Sequence, residues 1–230
     1  MALQQTKFAT AEHLNSSFAR RIGQLLNAGI EETGRASLVV SGGRTPAALF
    51  DALSKANVDW QNVDISLADE RWVDVEDDAS NEKMLHNTLL KNKASVANFI
   101  GLKTPHIDAT EAVEQCTGNL AQMRTPFDVL ILGMGEDGHT ASLFPCSTEL
   151  SQGLDLDSGN SYIAVQPTTA PNQRMSLTLP ALLNSKNIFL HLTGASKKQV
   201  MEEVIAGDDE AAMPIRAVIN NAPVELMWAP

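Results

Sequence analysis

Short apolar runs that end in glycine or charge recur along this chain, and they constrain its fold more than any other feature. "ASLVV" (Ala36 to Val40) leads into "SGGRTP", and "VDISL" (Val63 to Leu67) into "ADERW". "FDVLIL" (Phe127 to Leu132) leads into "GMGEDGH", "SYIAV" (Ser161 to Val165) into "QPTTAPNQR", and "NIFLHL" (Asn187 to Leu192) into "TGASKK". Runs of this length read as buried strands, and helical patterns lie between most of them. Leu14, Phe18, Ile22 and Leu25/Leu26 recur three or four residues apart after Thr10, a good cap, and the pattern runs out before Gly34. Further helices are predicted over Pro46 to Ser54, Asn81 to Leu90, Ala109 to Met123 and Ser196 to Ala206. Thr45 suits the N-cap of the first of these, and Pro46 its first position. Strands alternating with helices specify an α/β fold of three layers, a mostly parallel central sheet flanked by helices. No linker or low-complexity segment divides the chain, so residues 1–230 read as one domain.

In a parallel sheet, ligands bind beyond the carboxyl ends of the strands. The loops listed above therefore converge on one candidate site. Net charge is −11, which disfavours nucleic acid and anionic membranes as partners, so an anionic ligand needs a local cluster of cations. Two cysteines, Cys116 and Cys146, are too few for a disulfide framework in 230 residues and suit a reducing, cytoplasmic setting. No run approaches the roughly 20 apolar residues of a membrane span, and the N-terminus lacks the zones of a signal peptide. None of the five histidines has another at i+2 or i+4, and no metal site is expected.

Gly42 and Gly43 follow a strand and precede the expected helix at Thr45-Pro46. Free backbone N–H groups there, with the helix dipole, can cradle phosphate; the same residues also suit a plain strand-to-helix turn. The spacing is not that of a P-loop. Asp69, Glu70 and Arg71 follow the second strand, on the same rim. Arg174 follows the loop "QPTTAPNQ", and Lys197 sits at a helix N-terminus after a strand. With Arg44 and Arg71 these make four of the chain's 17 basic residues placed next to strand ends. Arginine grips phosphate through paired hydrogen bonds and lysine adds a mobile charge, so the set favours a phosphorylated small molecule.

The stretch "LGMGEDGHTASLFP" (Leu132 to Pro145) contains G-x-G-x-x-G, yet Pro145 interrupts any long helix after Gly138. Asp155 and Asp157, near the offset of a ribose-binding acid, lie in a polar loop. The dinucleotide reading fails on that context. What remains is a turn presenting Asp137 and His139. At the start of a short helix His139 would feel a positive dipole favouring its neutral form, as a general base requires. Asp137 would either oppose that or fix the ring's tautomer, and the sequence leaves both open.

"SGGRTP", "DERWV" with Ser80-Asn81, "LGMGEDGHTASLFP" and "RMSLTLPALLN" together resemble the hallmark segments of the 6-phosphogluconolactonase family, over about Ala36 to Lys198. The resemblance implies a modified Rossmann-like fold shared with glucosamine-6-phosphate deaminases. It implies hydrolysis of 6-phospho-D-glucono-1,5-lactone, the second step of the oxidative pentose phosphate pathway, without metal or organic cofactor. By position, His139 would activate water and Asp137 would orient it or contact the sugar. Asp69, Arg71, Arg174, Lys197, Thr45 and the Gly42-Gly43 loop would bind substrate. A monomer or weak homodimer is expected. Arg44 stands where the family often has a small residue, Asp74 where proline is frequent, and Cys146 where glycine is common. The deaminases carry a helper glutamate shortly after the histidine; here Leu143-Phe144-Pro145 follows, which argues for hydrolysis. A sugar-phosphate sensor without catalysis would normally carry a basic DNA-binding module, and this acidic chain opens with a single helix.

Overall fold

The computed structural model describes residues 3–230. Ten strands form two sheets: β1 (Gln4–Lys7), β2 (Ala36–Val40), β3 (Val63–Leu67), β4 (Asp69–Arg71), β5 (Asn98–Ile100), β6 (Val129–Leu132), β7 (Tyr162–Val165), β8 (Arg174–Leu177), β9 (Ile188–Thr193) and β10 (Val224–Ala229). The larger sheet is wholly parallel, in the order β1-β10-β9-β6-β2-β3-β5. Every residue of β2, β3 and β6 is buried, as expected of parallel strands covered by helices on both faces.

The helix Ala11–Thr33 shows how local chemistry sets an element's ends. Thr10 accepts a hydrogen bond from the His13 backbone N–H at 3.2 Å, and Gly34 closes the helix in the left-handed region at φ 84°. Leu14, Phe18, Ile22 and Leu26 form its fully buried stripe. Each such side chain contributes roughly 1.5–3 kcal/mol relative to exposure. The helix lies against β2, β6 and β10.

The chain builds outward from β2 in two directions. One half runs through β3 to β5; the other returns to the opposite side of β2 with β6 and continues to β9 and β10. The loops after β2 and β6 therefore part at the point where strand order reverses, and a crevice opens between them. These two loops carry Gly42-Gly43 and Asp137-His139.

Several sequence expectations are corrected. "SYIAV" forms a strand outside the parallel sheet: β7 pairs antiparallel with β8, which pairs antiparallel with β4. Asp69 to Arg71 and Arg174 are thus strand residues of this small second sheet, not loop residues. Strands β1, β4, β5, β8 and β10 went unread because each is short or lacks an alternating pattern. The helix after the glycine loop spans Ala47–Leu53, with Pro46 at its cap and no hydrogen bond from Thr45 capping it. The segment from Ala109 begins as a 3-10 turn and is α-helical over Val113–Leu120. Residues after His139 form a tight turn bridged by Thr140 and Leu143, so no helix dipole acts on the imidazole.

Candidate active site

A cavity of about 350 Å³ opens over the carboxyl ends of β2, β6 and β9. Gly42, Gly43, Arg44, Thr45, Asp69 and Arg71 line it from the first half of the chain, and His139, Arg174 and Lys197 from the second. Every predicted site residue except Asp137 lines this one space. Asp137 stands behind the imidazole.

The glycine loop leaves β2 through Ser41, whose N–H donates to the Ile131 carbonyl at 2.8 Å. Gly42 packs against the Asn81 side chain so closely that a Cβ would come within 1.9 Å of its Oδ1. Gly43 sits at φ 110°, a conformation that disfavours any side chain. Arg44 is exposed at the rim.

Strand β4 divides its charges by face, since successive side chains point oppositely. Asp69 and Arg71 face the cavity. Asp69 is buried and accepts the Ser142 hydroxyl at 2.6 Å, while its backbone oxygen accepts Asn81 Nδ2 at 2.8 Å. Glu70 points away and caps the helix Asn81–Thr88, accepting the N–H groups of Asn81 at 2.7 Å and Glu82 at 2.8 Å. Burial pushes its carboxyl up, to about 7, against the downward pull of those donors. Sequence reading grouped Glu70 with the site; the structure makes it a scaffold for Asn81.

Arg71 and Arg174 are register partners across β4 and β8. Arg71 Nη1 donates to the Ala79 carbonyl at 2.6 Å, and Arg174 Nη2 to the Pro171 carbonyl at 3.1 Å. Each Nε is buried without a hydrogen-bond partner, and neither side chain forms a salt bridge among the described residues. Burial, reinforced by the neighbouring Arg71, lowers the pKa of Arg174. Two adjacent guanidinium groups with unused donors and no carboxylate salt bridge form a site for an anion. Lys197 enters from the first turn of the helix Ala195–Ala206, which follows β9 through Gly194.

His139 is held by its own turn. Gly135 N–H donates to the His139 carbonyl at 2.8 Å, and Gly138 takes φ 75°. A Cβ on Gly135 would lie 2.1 Å from the ring's Nδ1, so only glycine admits the imidazole there. Nδ1 bonds to Asp137 Oδ1 at 2.5 Å. Burial raises the Asp137 carboxyl, but the hydrogen bonds and charge of His139 outweigh it and the net shift is downward. An ionised carboxylate can only accept, so Nδ1 is the donor in this pair. Phe144 stacks on the imidazole at 4.1 Å between centroids.

Sequence reading missed Ser41, Asn81, Ser142, Phe144 and His191, all of which line the cavity. Ser41, Asn81, Ser142 and Phe144 lay inside the quoted motifs, whereas His191 sits within an apolar strand that read as core.

A family model described as glucosamine-6-phosphate isomerases/6-phosphogluconolactonase matches residues 9–228. The chain belongs to this family. Within the isomerase/6-phosphogluconolactonase family, the curated 6-phosphogluconolactonase of Rhizobium meliloti is 39% identical over 97% of this chain and 97% of its own. That of Pseudomonas aeruginosa is 39% identical over 96% and 92%. A crystal structure of a 6-phosphogluconolactonase from Shewanella baltica superposes with a TM-score of 0.97 at 43% identity, covering 100% of this chain and 98% of that one. A monomeric glucosamine-6-phosphate deaminase, 16% identical, superposes at 0.82 over 99% and 97% and shares the fold. No helix among the described residues is long and apolar enough to cross a membrane.

Proposed function

We propose that this chain hydrolyses 6-phospho-D-glucono-1,5-lactone to 6-phosphogluconate, with His139 as general base. The observation that carries the reading is a juxtaposition: an imidazole with a free Nε2 lines the same cavity as two guanidinium groups, one half-buried and one buried, whose buried Nε atoms have no hydrogen-bond partner. Relatives that cover nearly the whole chain bear the name of this activity.

Nε2 takes a proton from water as the oxygen attacks the lactone carbonyl, and the carbonyl π electrons move onto its oxygen. Collapse of that tetrahedral oxyanion breaks the bond to the ring oxygen, and Nε2–H returns the proton there. The product is a hydroxy acid, with no net change at His139. Asp137 holds the ring's tautomer and stabilises the imidazolium in between. Arg71, Arg174 and Lys197 bind the phosphate, with Arg44, Thr45 and the N–H groups of the Gly42-Gly43 loop at the rim. Asp69, held by Ser142, accepts from sugar hydroxyls. The reaction as written needs no metal or organic cofactor. Both cysteines are free thiols, in keeping with a cytoplasmic enzyme, and we read the protein as a monomer or weak homodimer.

The test is lactone hydrolysis followed against the spontaneous rate, with glucosamine 6-phosphate as the competing substrate. Acceleration of the first and no turnover of the second is expected. Release of ammonia from glucosamine 6-phosphate would overturn the reading.

A further inference from the structure

Among the described residues, six buried side-chain polar atoms lack a hydrogen-bond partner. Five belong to residues that line the one cavity: Ser41 Oγ, Arg71 Nε, Arg174 Nε, and both ring nitrogens of His191. An anion held between the two arginines, as proposed above, would account for the guanidinium atoms but not for His191.

This histidine lies in β9, in register with Met227 of β10, and is only 3% exposed. Its ring meets Phe18 edge-on at 5.7 Å, a contact a leucine would make without any polar atom. Leaving a buried donor and acceptor unsatisfied costs about 1–3 kcal/mol per group, so such a residue needs a partner. Burial pushes the imidazole down to about 4, which keeps it neutral at ordinary pH. A neutral ring offers one N–H and one lone pair, the complement of a hydroxyl rather than of a phosphate dianion. Leu132 pairs with Leu190, one residue before Gly133 and His191, and a Cβ built on Gly133 would meet nothing within 4 Å.

We infer that His191 is a specificity-determining residue, its ring nitrogens exchanging hydrogen bonds with hydroxyl groups of the bound sugar phosphate. The inference rests on the proposed substrate class. It divides recognition within the cavity: cations hold the phosphate, and a neutral imidazole on the floor reads the polyol.

The full-length protein and its His191→Leu and His191→Gln variants test this. Inorganic phosphate and 6-phosphogluconate are titrated by calorimetry, lactone turnover is measured, and Tm is recorded without ligand. His191→Leu should lower kcat/KM and 6-phosphogluconate affinity about 10- to 100-fold, as expected for two lost hydrogen bonds. Phosphate affinity should stay unchanged, Tm should not fall, and His191→Gln should recover part of the loss. A His191→Leu protein with wild-type kcat/KM overturns the inference, as does one that weakens phosphate and 6-phosphogluconate equally. If that variant does not fold, nitrogen NMR of the wild-type imidazole decides. A His191 shift with 6-phosphogluconate but not with phosphate supports the contact, and no shift overturns it. Wild-type protein that neither binds 6-phosphogluconate nor hydrolyses the lactone overturns the lactonase reading and this inference together. Wild-type activity with an unaltered His191→Leu variant overturns this inference alone.

Discussion

At the amino-terminal edge of the parallel sheet, buried carboxylates are surrounded by partners. Asp128 accepts the Ser37 N–H at 2.9 Å and faces Arg124 and Lys186, each at 3.3 Å. Gly29 makes room for it, since a Cβ there would come within 2.9 Å of the carboxylate. Asp64 bonds to Arg35 and, at 2.8 Å, to Asn98. At the carboxyl edge the half-buried Arg71 and the buried Arg174 stand beside a cavity with donors unused. One edge is satisfied by the protein itself; at the other, buried Nε donors have no partner in the chain. Charge satisfied internally contributes to stability, whereas charge left open is available for binding, and it is a cost to the unliganded fold.

Substitutions at the two edges should therefore separate activity from stability. The largest effect is expected for His139→Ala, which should lower kcat for lactone hydrolysis by about 10²–10⁴-fold with Tm preserved, as loss of a general base does. Wild-type turnover in the folded variant would remove the imidazole from the reaction. Arg174→Met should weaken 6-phosphogluconate binding by roughly 10- to 100-fold, the range for a charge-assisted hydrogen bond. Without ligand it should be no less stable than wild type, because a buried cation without a carboxylate partner is gone. A clear drop in its unliganded Tm would break the contrast between the edges. Asp137→Asn should cost about 10-fold in kcat with little change in KM, since Nδ1 loses an ionised acceptor. Activity should respond least to Asp128→Ala, with kcat/KM close to wild type. Its stability should fall by about 1–3 kcal/mol in denaturant titration, because the Ser37 N–H loses its acceptor. Loss of activity without loss of stability would show that the two edges are coupled.

Much of the site was legible because its determinants are local. Gly43 and Gly138 mark backbone with positive φ, Thr10 and Gly34 bound the first helix, and apolar runs before each loop assign those loops to one end of the sheet. Asp69 and Arg71 were legible as charges after a strand, but not as a face. Strand β4 has three residues and owes its existence to β8, more than 100 positions later, so no local pattern could sort Glu70 from its neighbours. The alternation within "DER" was the available signal. His191 had none: a histidine between leucines in an apolar strand looks the same whether it faces the core or a ligand.

By itself the sequence determined the alternation of strand and helix, the parallel sheet, and the glycine turns that carry His139 and Asp137, since these depend on backbone freedom and on residue periodicity within about ten positions. Only tertiary structure decided that β7, β8 and β4 form a separate wall, that Arg71 stands beside Arg174, that the Asp137 carboxylate bonds to the His139 ring, and that His191 is among the residues lining the cavity. Those outcomes depend on which distant surfaces meet and on what is left without a partner when they do. Burial and hydrogen-bond satisfaction are properties of the assembled space, not of neighbours in the chain.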